Sequence, residues 1–317
     1  MLVAIMALTF SAAAAAEPVA SPLEATIDAK DADRFVAVFD RTGGKPSAAD
    51  LQRGYLDAAG RGVAIFTPNR IINADNLAAA VAKDPERYRY AIRTCLPLVP
   101  SLTGELRAIY LAYHELLPQR ALPAIHVVFG AGNSGGTASS EAQVLGLEVM
   151  CGPGTTPEQF RAAMRGIFAH ETVHSWQGPI AGKSLADPLL TLALREGVPD
   201  YLAMLVTGSI PSPDRDRWAS ARKPEVWAAF QRDRIIARTE VIKPFEFNAK
   251  GEAAVKRWFG NFGAAPEGWP PESGYWVGMR IAQAYVEHAT DKQAAIQSLI
   301  ALEDPEAILQ ASGYAPK

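Results

Sequence analysis

In the run Phe168-Ala169-His170-Glu171-Thr172-Val173-His174, two histidines stand four residues apart, with a carboxylate directly after the first. Four residues is slightly more than one helical turn, so a helix brings both imidazoles to one face, close enough to share one ion. Neutral imidazole suits zinc. Glu171 lies beside such an ion without being aimed to ligate it, which places a carboxylate where it can take a proton from zinc-bound water. The pattern therefore demands a helix here, and the flanking residues supply one. Thr156 is a good N-cap, Pro157 fits the first helical position and Gln159 completes a capping box. The helix is expected to run to about Gln177 and to stop at Gly178-Pro179.

A catalytic zinc needs a third protein ligand and an open position. Asp187-Pro188 opens a second helix, predicted from Leu189 to about Thr207, and Leu194-Arg195-Glu196-Gly197-Val198-Pro199-Asp200 lies within it. Packed antiparallel to the first, this helix turns Glu196 toward the histidine pair. Asp200 follows four residues later on the same face, where it can accept the outer N–H of a ligating histidine and fix its tautomer. Both acids interrupt an otherwise apolar helix, and burying them is costly unless a cation or a hydrogen bond compensates. Pro199 removes one helical N–H bond and is expected to kink the helix between the two acids, which either helps to aim them or spoils their alignment.

Elsewhere the patterning is mostly helical. Residues 30–117 carry apolar stripes at helical spacing (Phe35, Val36, Val38, Phe39; Leu51, Tyr55, Leu56, Ala59), Asp75 is a candidate cap, and Leu102–Leu117 reads as an amphipathic helix. The period then changes. Ala124–Phe129 and Val144–Cys151 read as strands, with Gly130–Gly136 as a loop between them. Pro211–Arg238 reads as a charged, solvated helical excursion, and Gly274–His288 as a helix followed by two shorter ones. The expected fold class is α+β, predominantly α-helical, with a small sheet packed on the first histidine helix. The expected organisation is a signal peptide over 1–16, an N-terminal helical region over 17–120 and a catalytic region over 121–317, the last two forming one continuous domain.

Composition limits the alternatives. Hydrophobic residues make up 49% and charged residues 21% of the chain, which excludes wholesale disorder. A net charge of −3 argues against a nucleic-acid partner. Two cysteines cannot build a Cys₄ zinc site, so a metal must use histidine and carboxylate ligands, from five histidines. Of these, His114, His126 and His288 read as structural or exposed. Met1–Phe10 is apolar and Ala14-Ala15-Ala16 precedes Glu17-Pro18, as in a removed secretory signal cleaved after Ala16, although no Lys or Arg precedes the apolar run. No cysteine closes that segment, so a lipid anchor is not indicated. The expected location is periplasmic or secreted, without stable membrane insertion. In an oxidising compartment Cys95 and Cys151 either pair or remain two buried thiols.

The two helices resemble gluzincin metallopeptidases, with His-Glu-x-x-His, a glutamate on the next helix and an acid four residues beyond. The wider chain is similar to a bacterial family of predicted zinc-dependent proteases of unknown function. That resemblance rests on Gly54-Tyr55-Leu56-Asp57 through Gly62 and Phe66, on Asn133-Ser134-Gly135-Gly136-Thr137 with Gly146-Leu147-Glu148, on the two helices, and on Gly274-Tyr275-Trp276-Val277-Gly278. Pro199 departs from the small residue expected there. The resemblance implies one Zn²⁺ per chain on His170, His174 and Glu196, Glu171 as general base, and a peptide or protein substrate laid along an edge strand at residues 144–151. Gly136 and Thr137 would let the peptide approach, Glu148 would meet its amine, and Tyr275, with Arg280 as a rival, would stabilise the oxyanion. Two other classes fit the same residues: a non-catalytic periplasmic binding module with a structural or vestigial metal site, and a zinc hydrolase of a non-peptide or cell-wall amide, since the attack chemistry is shared.

Overall fold

The computed structural model describes residues 19–316. The expected signal peptide lies outside the described residues. Among the described residues six α-helices, joined by shorter 3-10 and π-helical segments, form the N-terminal part: α1 (Lys30–Arg41), α2 (Ala48–Leu51), α3 (Arg61–Phe66), α4 (Ala74–Lys83), α5 (Pro85–Tyr90) and α6 (Thr103–Leu116). Asn73, rather than Asp75, caps α4, its side chain accepting from the Asn76 N–H; Asp75 sits one residue inside the helix. A four-stranded mixed sheet follows in the order β1-β2-β4-β3, made of β1 (Ile27–Asp28), β2 (Ala124–Val128), β3 (Gly136–Ala138) and β4 (Ala142–Gly146). β1 and β4 run parallel to β2, and β3 runs antiparallel to β4 at the sheet edge.

The strand expected over 144–151 is shorter and earlier. β4 ends at Gly146 and the chain turns into the short helix α7 (Leu147–Met150). A side chain at Gly146 would lie 2.5 Å from the Ser134 carbonyl, so the crossing of the two segments there requires glycine. All five β4 residues are buried. The sheet edge is therefore the Gly136–Ala138 strand, lying against α8 (Pro157–Trp176).

α8 starts with the expected capping box of Thr156 and Gln159 and ends at Trp176. α9 (Pro188–Thr207) is capped by Asp187 and stays helical through Pro199. The C-terminal part comprises α10 (Pro213–Ser220), α11 (Lys223–Thr239), the β5 (Val241–Lys243) and β6 (Glu246–Phe247) hairpin, α12 (Ala249–Lys256), α13 (Ser273–His288), α14 (Lys292–Ala301) and α15 (Pro305–Ser312). The 211–238 stretch is less solvated than its charge suggests. Arg215 and Arg234 are buried there, paired with Asp200 and Asp187 at 2.8 and 2.6 Å. Burying two guanidinium groups is sustainable because each meets a buried carboxylate.

One apolar cluster runs from Ala25 to Leu309. Buried phenols tie the N-terminal helices to the sheet and to α8: Tyr55 donates to Phe129 O, Tyr88 to Gly130 O and Tyr113 to Ala169 O, at 2.8–2.9 Å. The last of these fixes the backbone immediately before His170. Cys95 and Cys151 form a disulfide with Cα atoms 6.4 Å apart, fastening the N-terminal helices to the turn before α8. α9 and α13 cross backbone to backbone at Gly197 and Gly278, where a side-chain carbon on Gly278 would lie 1.7 Å from Ala193 O. Among the described residues no helix is long and apolar enough to cross a membrane.

Candidate metal centre

His170 and His174 project from one face of α8, and Glu196 faces them from α9. Their inward atoms close a small triangle: Nε2 to Nε2 3.0 Å, His174 Nε2 to Glu196 Oε2 3.2 Å and His170 Nε2 to Glu196 Oε2 3.6 Å. Ligands at about 2.0–2.1 Å around a tetrahedral zinc stand roughly 3.3–3.4 Å apart, so the three atoms are spaced as three corners of that polyhedron.

The outer partners decide which atoms face inward. His170 Nδ1 lies 2.9 Å from Asp200 Oδ1, and an ionised carboxylate can only accept, so Nδ1 carries the proton. His174 Nδ1 lies 2.7 Å from Gln177 Oε1, and the Gln177 amide nitrogen is occupied by the Arg195 carbonyl. The same reasoning puts a proton on His174 Nδ1. Both Nε2 atoms then direct lone pairs at each other and at a carboxylate. Three converging donor atoms in a half-buried site repel unless a cation stands between them.

The electrostatics carry the same signature. Burial opposes charge on His170, but hydrogen bonds that its ring donates to Asp200 and Glu196, with the nearby carboxylate charges, outweigh it and push its pKa up to about 10. Burial likewise opposes ionisation of Glu196, yet the two histidines hold its carboxyl well below the usual range. The pocket demands positive charge, which a proton or a metal ion can supply.

Two residues that were not singled out in the sequence complete the surroundings. Gln177, the last expected helical residue, is the His174 partner. Arg215 donates to Asp200 Oδ2 at 2.8 Å and to the Glu272 carbonyl at 3.2 Å, and its guanidinium lies 5.1 Å from the Tyr275 ring centroid. Asp200 is thus held between His170 and a buried arginine, which fixes its orientation. The signal for Arg215 was weak, one arginine in a charged segment. Gln177 offered no sequence pattern.

The centre opens into a cleft of about 1280 Å³ whose lining includes Arg70, Gly136, Thr137, Arg165, Glu171 and Tyr275. Glu171 is buried, which raises its pKa although both histidines partly offset this, and its carboxylate packs against Gly136, where an added side-chain carbon would lie 2.8 Å from Oε1. Tyr275 stacks on the His170 ring at 6.0 Å, and burial followed by the Glu196 and Glu272 charges keeps its phenol protonated far above the normal range. His170, His174, Glu196, Glu171, Asp200, Tyr275, Gly136 and Thr137 therefore meet at one cleft.

Glu148 does not. It is fully buried, its two oxygens accepting the Gly130 and Gly132 N–H groups at 3.0 Å each, so it anchors the glycine-rich loop and has no free oxygen for a substrate amine. Arg280 is also elsewhere, paired with Asp216 and Gln283. Of the remaining histidines, His126 is buried in β2, His114 lies in α6, and His288 bonds the Ser312 carbonyl at 2.7 Å.

Residues 212–316 match the family model described as gliding motility protein GldB. No curated protein and no solved structure matches the chain. The GldB match overturns the assignment to a family of predicted zinc-dependent proteases, and with it the reading as a peptidase. Physically, the correction has two parts. The glycines that carried the resemblance are explained by packing, Gly146 under Ser134 O and Gly278 against Ala193 O, and packing says nothing about activity. The His-Glu-x-x-His face with its partner glutamate could hold an ion, and ion binding alone would not specify peptide hydrolysis. The matched segment is not remote from the centre: Arg215, Glu272 and Tyr275 all lie within it, so the GldB-like portion of the chain forms the wall behind Asp200 and His170.

Proposed function

We propose that the chain is an exported zinc-binding module that works by holding a metal and a ligand rather than by turnover. His170, His174 and Glu196 hold the ion, and the cleft leaves its remaining position open to a donor atom from a ligand. One observation carries this reading: outer hydrogen bonds to Asp200 and Gln177 turn both Nε2 atoms toward the same point as the half-buried Glu196 carboxylate. The match of residues 212–316 to a gliding motility protein supports a role in the cell envelope other than peptide hydrolysis. The alanine-rich leader and the Cys95–Cys151 disulfide support a periplasmic or secreted location.

The test is thermal unfolding with and without zinc. Zinc at a hundredfold excess over its dissociation constant adds about 2.7 kcal/mol to the stability of wild type. Glu196→Ala should lose that gain, and an equal gain in the variant would sink the assignment.

A second reading is favoured by Glu171 alone. Its buried carboxylate stands beside the open position, where it suits deprotonation of metal-bound water. The corresponding activity is hydrolysis of a non-peptide or cell-wall amide. Zinc-dependent release of product from such amides, abolished by Glu171→Gln with the metal retained, would establish this reading over the non-catalytic one.

A further inference from the structure

Pro199 stands inside α9, where it lacks the N–H that would bond the carbonyl four residues back, that of Arg195. That carbonyl is not left unsatisfied. The Gln177 amide nitrogen, reaching across from the end of α8, donates to it at 2.9 Å. The Arg195 side chain returns the contact by donating to the Gly178 carbonyl, also at 2.9 Å. The end of α8 and the middle of α9 are thus clasped by two reciprocal bonds beside the centre. Since its nitrogen is committed to Arg195 O, the Gln177 amide has one orientation, with Oε1 aimed at His174 Nδ1 at 2.7 Å.

We infer that Gln177 is the positioning residue of His174, and that Pro199 fixes it in that role by leaving the Arg195 carbonyl free to hold its amide. The inference rests on the zinc-binding reading. With alanine or any other residue at 199, the backbone N–H would compete for the Arg195 carbonyl and the amide would be free to turn. With proline the carbonyl lacks the N–H four residues on that would compete for it, so the amide stays put, Nδ1 stays protonated, and the Nε2 lone pair points at the metal position. Gln177 touches neither the ion position nor a ligand; it acts through His174. The helix-breaking residue and the outer partner of the second histidine are, on this account, one device spread over two helices.

The test is zinc affinity, measured on the full chain by competition with a chromogenic chelator. Gln177→Ala should bind zinc roughly 10–100-fold more weakly than wild type, the usual cost of removing an outer partner of a metal-bound histidine. Gln177→Glu keeps an acceptor for Nδ1 but loses the N–H that anchors it on the Arg195 carbonyl, so its affinity should fall between wild type and Gln177→Ala. Pro199→Ala should weaken zinc by a smaller factor, and in that background Gln177→Ala should cost less than it does in wild type, because the two changes break one linkage. Circular dichroism of each zinc-free variant checks that it is folded.

Affinity of Gln177→Ala within twofold of wild type would overturn the positioning role, as would a Glu variant as weak as the Ala variant. Fully multiplicative effects of the 177 and 199 changes would overturn the part assigned to Pro199. Absence of zinc binding by wild type would sink the metal reading and this inference with it, whereas tight wild-type binding that ignores residue 177 would sink this inference alone.

Discussion

Gly278→Ala offers a direct perturbation of the frame that aims the centre. An added carbon would stand 1.7 Å from Ala193 O, where contacts under 3.0 Å are essentially never seen, so α9 and α13 must part by at least about 1.3 Å. The obstruction is backbone on the facing helix, which cannot rotate away as a side chain would. Overpacking of this kind costs up to about 3 kcal/mol, and the better helix propensity of alanine returns about 1 kcal/mol. The net loss is about 2 kcal/mol, or roughly 3 °C in Tm for a chain of this size. Because α9 carries Glu196 and α13 carries Tyr275, the same displacement moves the third ligand off its corner and should weaken zinc binding. Differential scanning calorimetry of the metal-free protein, paired with chelator competition, reads both effects. Gly104→Ala in α6 is the control: open space surrounds that glycine, so only the propensity gain should remain. A Gly278→Ala protein as stable as wild type would refute the backbone-to-backbone crossing on which the aim of Glu196 depends.

Two further outcomes follow from buried charge. Glu148→Ala should destabilise the fold by roughly 1–3 kcal/mol in urea denaturation, since the buried Gly130 N–H loses its acceptor and the exposed Gly132 N–H turns to water. It should leave zinc affinity unchanged, and a loss of zinc binding without loss of stability would return Glu148 to the cleft. In the metal-free protein the pKa of His170 is raised to about 10 from 6.5, so the folded state keeps a proton that the unfolded chain has shed between those values. Its contribution to stability is complete below pH 6.5 and disappears as pH rises to about 10. Zinc must displace that proton, so zinc affinity should rise about tenfold per pH unit from 6.5 to 8.5 in chelator competition, and a flat profile would contradict the coupling.

Much of this centre was legible in the sequence because its signals are local. The Thr156/Gln159 capping box fixed the start of α8, the four-residue histidine spacing fixed a face, and Asp187-Pro188 fixed the start of α9. Glu196 and Asp200 were readable as acids in an apolar helix, which need a partner when buried. What was missed depended on contacts between distant segments. Glu148 and the end of β4 turned on Gly146 passing under Ser134 O, and alternation of residue types cannot reveal such a crossing. Arg215 looked like one more surface charge until Asp200 was placed opposite it. Pro199 was ambiguous because its effect is set by Gln177 on another helix. The protease family is overturned for a related reason: the spacing of two histidines and a glutamate points to a candidate ion site, whereas what such an ion would do depends on the cleft around it.

The measurement that bears most directly on the central claim is zinc per chain, determined by elemental mass spectrometry after dialysis, for wild type beside Glu196→Ala. The account predicts one zinc per wild-type chain and a sharp drop in the variant, because two imidazoles alone leave the third corner of the site open. Wild-type protein that stays free of zinc after reconstitution, or an unchanged zinc content in Glu196→Ala, would contradict it.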